Sequence, residues 1–432
     1  MSEGKFRRKV GLLDAFMIGL GAIIGAGIFV VTGIAAGLAG AAVIFSVLIA
    51  SVIASLTAYT ISDLGRHIPK EGGIYQFAYE MLSPKLGFIT GWMWILSYIF
   101  VGAAVSTSFS SYLFALLRFQ ASELHVKAVS AALCLMFTAV NYFGVHYSAR
   151  VNNILVALKV AVLLLFTFFG AFFIRFENLS FQNVDLLSVF QGAALLFFAY
   201  VGFARITTLG EEIKSAEKTI PSAVFLSLTV STALYFCVSF VAVGCVGSSV
   251  LAGSESPLST AISVANSQTL TVVVSVGALF ATASVLLTAI LGVSRVTYAM
   301  ARNTQLPSFI GKLHPKHGTP YLSVLITGLL MTLAAASTKL ANMVAISSFA
   351  SLFYYSVANI AGLKLNQANA GASKLIPVLG AVSCISLTVF LSPESLIVGV
   401  AGLASGVLVY LALIKRLENA KKLKQAASRA VS

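Results

Sequence analysis

Apolar residues fill positions 12 to 37 with hardly an interruption, and the pattern then returns eleven times. The further runs lie at 41 to 65, 86 to 117, 126 to 145, 151 to 174, 186 to 210, 220 to 246, 268 to 300, 320 to 337, 341 to 363, 375 to 391 and 395 to 414. About 30 Å of hydrocarbon demands ~20 mostly apolar residues per helix, so the pattern predicts an all-α integral membrane protein of twelve transmembrane helices. The third and eighth runs are overlong, which predicts tilt or protruding ends.

Glycine breaks the pattern at two places. The first run reads "IGLGAIIGAGIFVVTG" and carries Gly19, Gly21, Gly25, Gly27 and Gly33. Glycine is a poor helix former, and a spacing such as Gly21 to Gly25 ordinarily marks close helix packing. Gly25-Ala26-Gly27, however, places adjacent small residues on different faces, which one packing seam does not use; an unwound stretch is predicted there. Five runs later comes "LLFFAYVGFARITTLGEE", residues 195 to 212, with Gly202 in mid-span. Interrupted spans at corresponding positions of two halves point to a secondary transporter and its site. The halves are then 12–174 and 186–363, five helices each. Because five is odd, the second half is inverted relative to the first. Residues 375–414 supply two helices outside the repeat, and 415–432 form a basic tail.

An unwound helix frees N–H groups at the start of its second half and carbonyls at the end of its first, at membrane depth and lining a cavity. The N–H end attracts a carboxylate and the carbonyl end an ammonium. A ligand carrying both on one carbon is an α-amino acid.

Composition removes the soluble classes: 58% of residues are hydrophobic, 10% are charged and the mean hydropathy is +0.95. The net charge of +14 reads as topology. With the N-terminus inside, 22 of the 28 Lys and Arg fall in the cytoplasm, Arg118, Lys127, Arg175 and Lys339 fall outside, and Lys159 and Arg205 remain within spans. Both termini are therefore expected in the cytoplasm. The basic residues are scattered over short loops without interleaved aromatics, which excludes nucleic acid as a partner; the tail is expected to face anionic lipid headgroups of the bilayer. Cys134, Cys237, Cys245 and Cys384 lack metal-ligand spacing, and no metal or other cofactor is expected. No His, Asp or Glu pair lies inside the spans, so an intramembrane enzyme is not expected.

Four stretches in order, "GLGAIIGAGIF", "GGIYQFAYEMLSPKLGFITGW", "FFAYVGFARITTLGEEIKSAEKTIPSA" and "SRVTYAMARNTQLPSFIGKLHPKHGTP", resemble the amino acid-polyamine-organocation superfamily of transporters over essentially the whole chain. The resemblance implies a five-plus-five inverted repeat with discontinuous helices one and six, and a substrate site between them flanked by helices three, eight and ten. It places the substrate carboxylate on the backbone N–H groups of Ala26 and Gly27, beside Gly25. The amino group meets carbonyls of Ile23, Phe198 and Val201 near Gly202, and the Phe198 ring covers the substrate.

Lys159, in "NNILVALKVAVLLLF", resembles the fifth-helix lysine of the proton-coupled amino-acid permeases, where its ammonium stands in for the sodium ion of related symporters. The resemblance implies that it bridges carbonyls near Gly21 and Ala22 and hydroxyls of helix eight, Thr282 or Ser284. A charge there costs ~2.5 to 3.5 kcal/mol. The plainer reading is snorkelling toward Asn153, about 9 Å away along the helix. Proton symport of amino acids across the cytoplasmic membrane is the resulting expectation; exchange and a non-transporting amino-acid sensor stay open. Relatives often carry an acidic residue where this chain has Ala204. Arg205 is expected to form a structural or gating ion pair with Glu211 and Glu212.

Overall fold

The computed structural model describes residues 10–70, 72–143, 149–181, 184–210, 213–315, 319–368 and 373–431. Helices account for nearly all of them. The sole β-pairing among the described residues is an isolated parallel bridge, Val10 to Ile213, which ties the start of the first helix to the segment after the sixth span.

The first apolar run holds α1 (Leu12–Ile23), a π-helical turn (Gly27–Val31) and α2 (Thr32–Ala39). Gly40, at φ +61, ends α2 in a backbone conformation that side chains disfavour, and the chain continues into α3 (Val43–His67). A short α4 (Ile74–Met81) precedes α5 (Pro84–Leu116), started by Ser83 accepting from the Leu86 N–H with Pro84 in the first turn. Then follow α6 (Glu123–Tyr142) and α7 (Ala149–Gly170). The sixth run holds α8 (Leu186–Leu196) and a 3-10 segment (Phe197–Leu209), and the seventh holds α9 (Ala216–Val246). Short α10 (Ser248–Ala252) and α11 (Pro257–Ile262) lead to α12 (Gln268–Arg302), α13 (Tyr321–Ser337), α14 (Leu340–Ala368), α15 (Leu375–Thr388) and α16 (Pro393–Val431). The last helix runs through the region expected to be a separate basic tail.

Among the described residues, nine helical segments are long and apolar enough to cross a bilayer. The first of these, Leu12–His67, contains two of the predicted runs, while Tyr321–Ser337 and Leu375–Thr388 are apolar but shorter. Burial sorts the helices into layers. In α14, 89% of the most apolar window is buried and in α5, 78%, against 28% in α6 and 11% in α16. α5 and α14 therefore form the centre, and α6 and α16 present Leu135, Met136, Ile397, Val400 and Leu408 outward, as lipid-facing helices do.

The centre is built from small residues. Buried Ser97, Ser106, Ser108 and Ser110 of α5 allow close approach, and each satisfies its hydroxyl on a nearby carbonyl. α5 packs against both α12 and α14, while α1 packs against α9 and the 3-10 segment. Two further seams carry side-chain bonds: Asn359 of α14 donates to Thr57 Oγ1 of α3 at 3.1 Å, and Asn153 of α7 donates to Asp14 of α1 at 2.9 Å. The two interrupted spans thus lie side by side, enclosed by the most buried helices of the molecule.

Candidate functional site

The first span stops being a regular helix where the glycines predict. Ile24 is extended (φ −74, ψ 102), Gly25 bends, and Ala26 returns to helical angles before the π-helical turn begins at Gly27. The break strands carbonyls, and buried side chains take them. Lys159 Nζ donates to Gly21 O at 3.2 Å and Ile24 O at 3.3 Å. Tyr235 Oη of α9 donates to Ile23 O at 2.8 Å and to Ala199 O at 3.2 Å, joining the two interrupted spans through one hydroxyl. Tyr112 Oη of α5 donates to Phe29 O at 2.7 Å.

The sixth span departs from expectation. Instead of an open break it tightens into 13 residues of 3-10 helix, Phe197–Leu209, far longer than the few residues such a winding ordinarily lasts. Its backbone groups stay paired at shorter register, so fewer are free than in the first span. Val201 O accepts from Tyr355 Oη of α14 at 2.6 Å, and the Tyr355 ring stacks on Phe203 with centroids 5.0 Å apart. Gly202 is where the spans touch: a Cβ there would lie 2.2 Å from both C and O of Ala22. Gly27 is equally confined, since a Cβ would lie 2.5 Å from Ala199 Cα. These glycines serve close packing as well as the break, each against a different neighbour, and the two readings of the glycine pattern are not alternatives.

Lys159 is 1% exposed, and its ammonium sits on the carbonyls of the broken helix, so it does not snorkel. Gly21 is the expected partner; Ile24 takes the place expected of Ala22. The expected hydroxyls point elsewhere. Thr282 Oγ1 donates to Ala278 O at 2.7 Å and Ser284 Oγ to Ala281 O at 3.0 Å, each within its own helix. Asn153, the proposed edge, is engaged with Asp14.

All seven residues predicted to bind substrate, Ile23, Gly25, Ala26, Gly27, Phe198, Val201 and Gly202, line one cavity. Tyr98, Val101 and Val105 of α5, Val285 of α12 and Arg205 complete its wall, together with Ala22. Its free space for the centres of water molecules is about 20 Å³, room for one or two waters, so the site is nearly closed. Arg205 also lines a second small cavity with Gly72, Trp94, Thr208, Gly292 and Arg295. A third, of about 390 Å³, is lined by Arg118, Asn266, Gln268, Thr271 and Ser275. Along α12 the three follow in order: the wide one at its start, the central one at Val285, the second small one at Gly292.

Residues 10–414 match the family described as "Amino acid permease". The chain belongs to the amino acid permease family. It is 34% identical to an uncharacterized transporter of Mycobacterium tuberculosis, over 94% of this chain and 91% of that one. It is 31% identical to a branched-chain amino acid permease of Bacillus subtilis, over 94% and 93% of the two chains. A methylthioribose transporter of the same bacterium is 30% identical over 93% and 92%. The chain is thus a multi-pass membrane protein whose relatives are amino acid permeases and transporters.

Arg205 was expected to pair with Glu211 and Glu212, which lie outside the described residues. Among the described residues its Nη1 donates to Thr288 Oγ1 at 2.6 Å, and its guanidinium lies 5.2 Å from the Tyr98 ring centroid. Sequence reasoning missed Tyr98, Val285, Tyr235 and Tyr355. The tyrosines carried a signal, a hydroxyl at mid-span that must find an acceptor; Val285 carried none.

Proposed function

We propose that this permease carries amino acids across the cytoplasmic membrane by alternating access and couples their entry to protons through Lys159. One observation carries the reading: the buried ammonium of Lys159 rests on Gly21 O and Ile24 O of the broken helix, directly behind the residues that line the central cavity. The N–H groups of Ala26 and Gly27 face the α-carboxylate, and Ile23 O, with a second lone pair beyond its tyrosine bond, faces the amino group beside Val201. Phe198 covers the substrate.

A proton shifts a conformational equilibrium only if it binds one state better. Protonated Lys159 holds the two carbonyls and with them the shape of the break; loss of the proton releases them. The nearly closed central cavity, with a wider one at one end of α12 and a small one toward the other, supports access that alternates between faces. Arg205 stands at the divide between the central and second cavities and serves as the inner gate.

The same reading takes twelve crossings in two inverted five-helix repeats. Leu12–His67 turns at Gly40 and crosses twice, and Tyr321–Ser337 and Leu375–Thr388 cross as short helices. Both termini then face the cytoplasm. Labelling of Ser2→Cys or Ser432→Cys by an impermeant thiol reagent added outside would reject that topology.

Proteoliposome uptake tests the function. An inward proton gradient is expected to drive accumulation by the parent protein, and Lys159→Ala to abolish it while substrate binding persists. Accumulation by Lys159→Ala equal to the parent's would remove Lys159 from the coupling and leave exchange as the transport mode.

A further inference from the structure

Among the described residues no carboxylate pairs with Arg205. Nη1 reaches a neutral hydroxyl, that of Thr288, and the face of Tyr98 gives a partial cation–π contact; Tyr98 in turn is stacked on Trp94 with centroids 4.1 Å apart. Its Nε is buried and has no acceptor. The lining of the central cavity contains no Asp or Glu. An uncompensated charge at membrane depth is expensive, so an anion that enters this cavity gains what the protein does not supply.

Lys159, behind the same cavity, adds a second positive charge, and both of its contacts are neutral carbonyls. A zwitterionic amino acid brings one carboxylate and one ammonium, both consumed by the backbone of the two interrupted spans. It leaves the positive excess of the wall as it was. A substrate with a carboxylate on its side chain cancels it, and the planar fork of a guanidinium matches a carboxylate in two parallel hydrogen bonds. Val101, Val105 and Val285 give the wall an apolar stretch from α5 and α12 that suits the methylenes between the two ends.

We propose that the substrate is an amino acid with an anionic side chain, and that Arg205 is the residue that receives the side-chain carboxylate. The inference rests on the amino-acid transport reading above. It orders the substrates: acidic first, neutral isosteres behind, cationic ones excluded by like charge.

The test is uptake into proteoliposomes of labelled L-glutamate, L-aspartate, L-glutamine, L-leucine and L-lysine by the parent protein, Arg205→Gln and Arg205→Lys. Glutamate or aspartate is expected to exceed glutamine by about tenfold or more, the worth of hydrogen bonds to a charged group. Arg205→Gln is expected to erase that preference and Arg205→Lys to restore part of it. Glutamine, leucine or lysine carried by the parent as well as the acids overturns the inference and leaves amino-acid transport standing. Uptake of no amino acid at all overturns both. If Arg205→Gln does not fold, judged by gel filtration in detergent, the parent panel decides, with Arg205→Lys as the folded comparison.

Discussion

The two interrupted spans pack side by side and solve one problem differently. The first gives up its hydrogen bonds: Ile24 is extended, and the freed carbonyls of Gly21, Ile23 and Ile24 are taken by Lys159 and Tyr235. The second keeps its bonds and changes their register, winding into 3-10 helix from Phe197 to Leu209. In hydrocarbon an unpaired backbone group costs several kcal/mol, so a break is open only where side chains can reach it. The first span has a lysine and two tyrosine hydroxyls within reach. Along the second, Tyr355 reaches Val201 O and Tyr235 reaches Ala199 O, with no buried cation among them. On the proposed reading, the open break is the place where ligand and proton act on the backbone, and the wound span is the wall against which it works.

The comparison is sharpest where the spans touch. A Cβ on Gly202 meets backbone, C and O of Ala22 at 2.2 Å, and backbone has nowhere to go. Gly202→Ala is expected to abolish uptake and to cost about 3 kcal/mol or more of stability, the upper end of overpacking penalties, read as a lowered melting temperature in detergent. Wild-type uptake by that variant would mean that the second span yields as readily as the first.

Gly27→Leu tests the open break at its packed edge. Its Cβ would lie 2.5 Å from Ala199 Cα, so substrate binding is expected to vanish, and some folding stability with it, because the same position serves clamp and seam. Full stability with binding lost would assign Gly27 to the clamp alone.

Tyr235→Phe removes the hydroxyl shared by Ile23 O and Ala199 O, the one side chain among the described residues that bonds both spans. A buried carbonyl left unsatisfied costs about 1–3 kcal/mol, and the expected result is a lower melting temperature together with weaker substrate binding. Tyr355→Phe is expected to lower stability by a similar amount with less effect on binding, since it supports the wound span alone. Equal loss of binding in the two variants would erase the functional difference between the breaks.

Much of this site was legible in residue types. Gly25-Ala26-Gly27 located the open break, because adjacent glycines on different faces do not suit one seam; a charge in mid-span singled out Lys159. The winding of the second span was not legible, since 3-10 and α-helix differ by one residue of hydrogen-bond register and bury the same apolar pattern. The hydroxyls expected for Lys159, Thr282 and Ser284, were chosen by their place in the chain. Serine and threonine inside a helix commonly bond the carbonyl one turn back, and both do so here. Tyr98 and Val285 line the cavity from α5 and α12, in apolar runs that give no local sign of which face turns inward.

The smallest expected effect belongs to Gly25, and it separates a rigid contact from a soft one. A Cβ there meets a single methyl, Val285 Cγ2, at 2.9 Å, with the rest of the valine at 3.6 Å or beyond. A methyl can be moved by a small shift of α12, whereas the Ala22 backbone beside Gly202 cannot. Gly25→Ala is therefore expected to cost about 1 kcal/mol and reduce uptake several-fold. Val285→Ala added to it removes the opposing methyl and should return uptake toward the parent's, an interaction energy that a double-mutant cycle reads directly. The same second substitution cannot relieve Gly202→Ala, whose obstacle is main chain. Rescue of Gly202→Ala by Val285→Ala, or its failure with Gly25→Ala, would reverse the assignment of the soft wall to the open break.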